Sequence, residues 1–80
     1  MRIVSYTTAA RKSLRSLPDD LQEQIRAKLA KYAQTGGGNV TRLVGRPGAR
    51  LRVGDYRAIF VEGVDELTVV AVGHRRDIYG

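Results

Sequence analysis

Arginine is the residue type with the clearest chemical use in this 80-residue chain. From Thr41 onward every cation is an arginine (Arg42, Arg46, Arg50, Arg52, Arg57, Arg75, Arg76), whereas Lys12, Lys28 and Lys31 all lie before it. A guanidinium is planar, permanently charged and presents a fork of donors that fits a phosphate and stacks on a base; an ammonium is a mobile point charge. Two segments concentrate these groups: Arg50-Leu51-Arg52-Val53-Gly54-Asp55-Tyr56-Arg57, and His74-Arg75-Arg76-Asp77-Ile78-Tyr79. The chemistry they suit is gripping a phosphate backbone, RNA foremost. The single histidine, His74, and Tyr79 add groups able to exchange a proton beside cations that cannot.

Spacing sharpens this expectation. Arg50 to Val53 alternates strictly, and Gly54-Asp55 stands where a two-residue hairpin turn belongs. With the hairpin closed there, Val53 opposes Tyr56, Arg52 opposes Arg57 and Leu51 opposes Ala58. Arg50, Arg52 and Arg57 then share one face, and Leu51, Val53, Tyr56 and Ala58 the other. Like charges directly opposite each other cost a few tenths to about 1 kcal/mol, which an anion between them would reverse. If Val64-Asp65 closes the next turn, His74 falls opposite Asp55 and joins the face of Arg57; a one-residue slip would send it to the other side. Against the phosphate reading stands the plainer one, that these arginines are solvated or pair with Asp55, Glu62 or Asp77.

The elements that must position these residues follow from the same periodicities. Arg2 to Tyr6 is a short β-prone run, and Thr7 or Thr8 can cap a helix over Ala9 to Ser16 with Ala10, Leu14 and Leu17 on one side. Pro18 breaks that helix and starts another at its first helical position, with Asp19 and Asp20 in the first turn. Leu21, Ile25, Leu29 and Tyr32, with Ala33 beside them, form its apolar stripe, and Arg26, Lys28 and Lys31 fall off it. Gly36-Gly37-Gly38-Asn39 ends the second helix and reads as a flexible joint, since it has neither the lysine nor the following helix of a phosphate-binding loop. Thr41 to Ala49 holds a second joint, Gly45-Arg46-Pro47-Gly48. Tyr56 to Glu62 is a return strand, and the continuous apolar run Leu67 to Gly73 suits a central strand covered on both faces. The expected fold class is α+β: an N-terminal strand, a helical hairpin, then a three-stranded antiparallel meander, making one small sheet with the helices on one face. The chain, 1–80, reads as a single domain.

Composition bounds the rest. A chain this short buries only about 60–65% of its unfolded surface, so its core is marginal and a partner is expected. With no cysteine and one histidine, neither a disulfide nor a zinc site is available, and no cofactor is expected. The opening MRIVSYTTAARKSL lacks the apolar run of a signal peptide and no stretch is long and apolar enough to span a bilayer, so a soluble cytoplasmic chain is expected, with no membrane partner. The net charge of +6 favours an anionic partner: nucleic acid or an acidic protein.

The paired segments Arg50–Arg57 and Val72–Tyr79, with the N-terminal strand and the SLPDDLQEQI helical hairpin, make the chain resemble the RelE/ParE superfamily of bacterial toxin–antitoxin toxins over nearly its whole length. The resemblance implies one of two activities. RelE-like members cut messenger RNA, typically on the ribosome and without a metal; ParE-like members poison DNA gyrase and generally lack the full catalytic set. Either implies a cognate antitoxin partner.

For the RelE-like branch, which the arginine, histidine and tyrosine set favours, the RNA 2′-hydroxyl is the nucleophile. The protein must supply a base, positive charge for the pentacovalent phosphate and an acid for the departing 5′-oxygen. The resemblance implies catalytic roles for Arg57 (phosphate stabilisation), Arg75 (charge stabilisation or leaving-group protonation) and Tyr79 (base, or stacking). Arg50 and Arg52 stand where some members carry lysines, with Arg76 nearby as a further RNA contact. An arginine cannot accept the 2′-hydroxyl proton, and the catalytic glutamate of other branches has no counterpart on this hairpin. The base role is therefore left to His74 or Tyr79.

Overall fold

The computed structural model describes residues 2–78. The elements are β1 (Ile3–Tyr6), α1 (Thr8–Arg15), α2 (Asp19–Thr35), β2 (Val40–Arg42), β3 (Ala49–Val53), β4 (Tyr56–Glu62), β5 (Glu66–His74) and α3 (Arg75–Ile78). One five-stranded sheet runs β1-β5-β4-β3-β2, with β1 parallel to β5 and every other pair antiparallel. The α+β class and the meander stand as expected; β2 and α3 are additions.

Local chemistry sets the helix ends. The Thr7 hydroxyl accepts the Ala10 N–H at 3.1 Å and caps α1. The Gln22 amide donates to the Leu17 carbonyl at 2.7 Å, which holds the α1–α2 corner. Asp19 and Asp20 sit at the positive end of α2, and Gly36 closes its other end with φ +73, a left-handed conformation suited to glycine.

Both helices pack on one side of the sheet. Ala10 and Leu14 of α1 and Ile25, Leu29 and Ala33 of α2 meet Leu51, Val53, Ala58, Phe60, Leu67, Val69 and Val72 in one core. Phe60 is fully buried, with the Tyr32 ring tilted against it at 5.2 Å. Removing the Phe60 ring should cost about 3–5 kcal/mol. The chain passes so close at Gly48 (φ +113) that a β-carbon there would lie 2.9 Å from the Phe60 carbonyl oxygen, so only glycine fits.

At the far end of β4 a polar knot ties the first strand to α2. The Arg2 guanidinium pairs with Glu62, lies over the Tyr32 ring at 5.3 Å, and reaches the Tyr32 carbonyl at 3.3 Å. The Tyr32 hydroxyl donates to the other Glu62 oxygen at 2.7 Å.

The other side of the sheet is not covered by these helices, which corrects the expectation that β5 is buried on both faces. Leu67, Val69 and Val72 enter the core, but Val70 and, on β4, Val61 remain 36% and 41% exposed. The register also breaks. Phe60 pairs with Val69 and Ile59 with Ala71, so Val70 is an extra residue on β5, a β-bulge. Among the described residues, no helix is long and apolar enough to cross a membrane.

Candidate nucleic-acid interface

The hairpin carries its arginines in the expected register: Val53 opposite Tyr56, Arg52 opposite Arg57, Leu51 opposite Ala58. The turn between them has positive φ only at Gly54 (φ +59), the requirement of a type II′ turn. Leu51, Val53 and Ala58 face the helices and are buried. Arg50, Arg52 and Arg57 therefore stand on the open face, where with Asn39 and Thr41 they line a recess of ≈ 190 Å³. Among the described residues, no carboxylate lines it.

The opposed pair Arg52 and Arg57 is accommodated by the turn itself. Arg57 Nη1 donates to the Gly54 and Tyr56 carbonyl oxygens, each at 2.9 Å, and Arg52 Nε reaches the Gly54 carbonyl at 3.4 Å. Between described residues there are two ion pairs, Arg2–Glu62 and Arg75–Asp55, and neither uses Arg52 or Arg57. Backbone carbonyl oxygens offset part of the repulsion without neutralising it. Both guanidinium groups keep their full charge at the recess.

Thr41 and Asn39 were not among the residues singled out from sequence. They arrive with β2, which pairs Thr41 with Arg50 and Val40 with Leu51. The signal was the alternation Val40-Thr41-Arg42 after the glycines, three residues long and easily passed over as a joint.

His74 is where sequence and structure part. The bulge at Val70 shifts β5 by one residue, so His74 pairs with Tyr56 rather than lying opposite Asp55. This places it on the helix-facing side, away from the face of Arg57, its ring edge-on to Tyr56 with centroids 5.4 Å apart. Its Nδ1 accepts the Arg76 N–H at 3.2 Å, so His74 acts as the N-cap of α3, and the neutral ring carries its proton on Nε2.

α3 does lean towards the arginine side. Gly73 pairs with Arg57, and a β-carbon on it would point to the open face and sit 3.8 Å from the Ile78 β-carbon. The start of α3 is fastened to the hairpin turn by the Arg75 N–H on the Asp55 carbonyl (2.8 Å), with Arg75 Nε 4.0 Å from the Asp55 carboxylate. Arg75 thus lies beside the turn, and Arg76 is exposed on α3. Tyr79 lies outside the described residues. The structure brings Arg50, Arg52 and Arg57 together, sets Arg75 at their edge, and puts His74 behind them.

A mixed five-stranded sheet with a helical pair on one side and a cationic recess on the other is a small α+β fold with solved counterparts. Solved structures of that shape include the toxin–antitoxin complex RelBE of E. coli, matched with TM-score 0.80 at 21% identity over 92% of this chain and 96% of that one. The isolated E. coli RelE toxin matches with TM-score 0.80 at 21% identity over 99% and 92%. A YoeB/ParE toxin from Agrobacterium tumefaciens matches with TM-score 0.75 at 14% identity over 92% and 98%. No curated protein matches the sequence closely enough to count as a relative. The family model describing the ParE toxin of the type II toxin–antitoxin system parDE matches residues 4–79. The chain belongs to that family, and is a type II toxin of the RelE/ParE superfamily.

Proposed function

We propose that the toxin is a metal-independent endoribonuclease that cuts messenger RNA presented by the ribosome, and that a cognate antitoxin partner inhibits it by covering the arginine recess. The observation that carries this is the convergence of Arg50, Arg52 and Arg57 on one concavity. In cleavage the substrate 2′-oxygen bonds to the adjacent phosphorus, the bond to the 5′-oxygen breaks, and the products are a 2′,3′-cyclic phosphate and a 5′-hydroxyl. Charge builds on the non-bridging oxygens, and a preorganised guanidinium aimed there lowers the barrier. Arg57 fills that role, Arg50 and Arg52 hold the flanking backbone, and Arg75 stands next to the leaving group. None of them can take the 2′-hydroxyl proton. His74 supports the site by capping α3, and Tyr79 remains the group for proton transfer. An acidic antitoxin segment suits a chain of net charge +6.

Two observations favour a second reading. The matching family model is that of a ParE toxin, and the only histidine sits behind the arginine face, which suits a toxin that binds DNA gyrase without chemistry of its own. Mapping RNA ends on programmed ribosomes separates the two. The nuclease reading expects new 5′-hydroxyl ends that fall about 10²–10³-fold with Arg57→Ala. Intact messenger RNA together with gyrase-dependent DNA breaks would replace it with the second.

A further inference from the structure

We propose that the arginine recess is one half of a two-phosphate track, whose other half is a cationic groove between α2 and the glycine segment after it. The proposal rests on the nucleic-acid reading above and adds a binding site to it. A second concavity of ≈ 70 Å³ is lined by Lys28, Lys31, Gly37, Gly38, Asn39 and Arg52, among others. It shares Asn39 and Arg52 with the first recess, so the two are continuous around the edge of the sheet. The Asn39 carbonyl accepts the Arg52 N–H at 3.0 Å, which pins the junction to β3. Among the described residues, no carboxylate lines either concavity.

Lys28 and Lys31 are three apart on α2 and share a side of the helix, off the stripe of Ile25, Leu29 and Ala33 that enters the core. Both are exposed, and neither pairs with a carboxylate among the described residues. Solvated lysines on a helix are commonplace. Here, though, they border glycines without side chains, where a strand can approach the backbone. The cradle is not made by helix polarity: this is the negative, carbonyl end of α2, and the Gly37 N–H is already taken by the Thr35 hydroxyl at 3.0 Å. An anion here must be held by the ammonium groups, with the Asn39 amide between the two sites. Mobile lysines suit a neighbouring, non-reacting phosphate, while the rigid arginine forks hold the reacting one. The ligand is a single-stranded RNA backbone long enough to carry phosphates in both recesses.

Binding of 2′-O-methyl RNA, which lacks the attacking hydroxyl, tests this with the full chain at several salt concentrations. The probes are a hexanucleotide and a dinucleotide with a single phosphate. Lys28→Gln/Lys31→Gln should reduce the hexanucleotide's log K against log salt slope by about 0.7, the share of the one phosphate that the groove holds. It should leave dinucleotide affinity unchanged. Arg11→Gln/Lys12→Gln removes equal charge from α1, which packs on β5 rather than β3, and should leave the slope alone. An unchanged slope in the α2 variant, or an equal fall in the α1 control, overturns the track. Failure of the wild-type chain to bind the hexanucleotide, or binding indifferent to Arg57→Ala, overturns the nucleic-acid reading and the track with it.

Discussion

Arg57 and His74 come from paired strands only one residue apart in register, so they face opposite sides of the sheet and do different work. Arg57 shares its donors between the turn carbonyls and the recess. Arg57→Lys keeps the charge but loses the planar fork, so it should cut far more slowly than wild type while melting at nearly the same temperature. His74 works through α3: its ring nitrogen caps the helix that leans towards the arginine side. Asparagine is among the best N-caps but does not titrate, so His74→Asn should restore most of the cleavage that His74→Ala removes, the alanine variant losing about 1 kcal/mol of cap stability. Equal inactivity of the two, with α3 intact by NMR, would instead make His74 a proton-transfer group.

Among the elements, β5 and α3 decide where the C-terminal segment goes. Gly73 faces the open side against Ile78. Gly73→Ala should be tolerated, since a β-carbon there makes ordinary contact, whereas Gly73→Leu should displace α3 and lower cleavage with little change in the core. The hairpin β3–β4 was legible because its punctuation is local: a glycine at the turn and charges at every second position mark both register and face. The bulge was not. Leu67-Thr68-Val69-Val70-Ala71-Val72-Gly73 is apolar at nearly every step, so no polar beat betrays the extra residue, and the face of His74 hangs on that one residue. β2 is three residues between glycine-bearing joints, and α3 is a single turn held by Asp55 and His74 from other elements. Neither has a periodicity long enough to read. The recess therefore showed its arginines in the sequence but not Asn39 or Thr41.

On the scale of the whole molecule, the fold divides labour between its faces. Helices and apolar side chains stabilise one side, and the arginines of the β3–β4 hairpin gather on the other. The knot of Arg2, Tyr32 and Glu62 helps offset the small core. Burial works to raise the pKa of the Glu62 carboxyl, but hydrogen bonds from Tyr32 and Arg2 and the charges of Arg2 and Arg42 outweigh it and hold it below its ordinary value. Folding thus favours the carboxylate, a contribution present above the ordinary carboxylate pKa and lost as pH falls through the lower folded one. Glu62→Gln should be less stable by about 1–2 kcal/mol at neutral pH, and denaturation curves should show the gap closing in acid. A gap that persists unchanged would assign the loss to shape rather than charge. The central claim is that the open-face arginines, not the side bearing His74, receive the RNA phosphate. Side-chain NMR during titration with 2′-O-methyl RNA tests it most directly. The guanidinium signals of Arg50, Arg52 and Arg57 should shift together while the His74 ring signals stay in place; a shifting His74 with three unmoved arginines would contradict it.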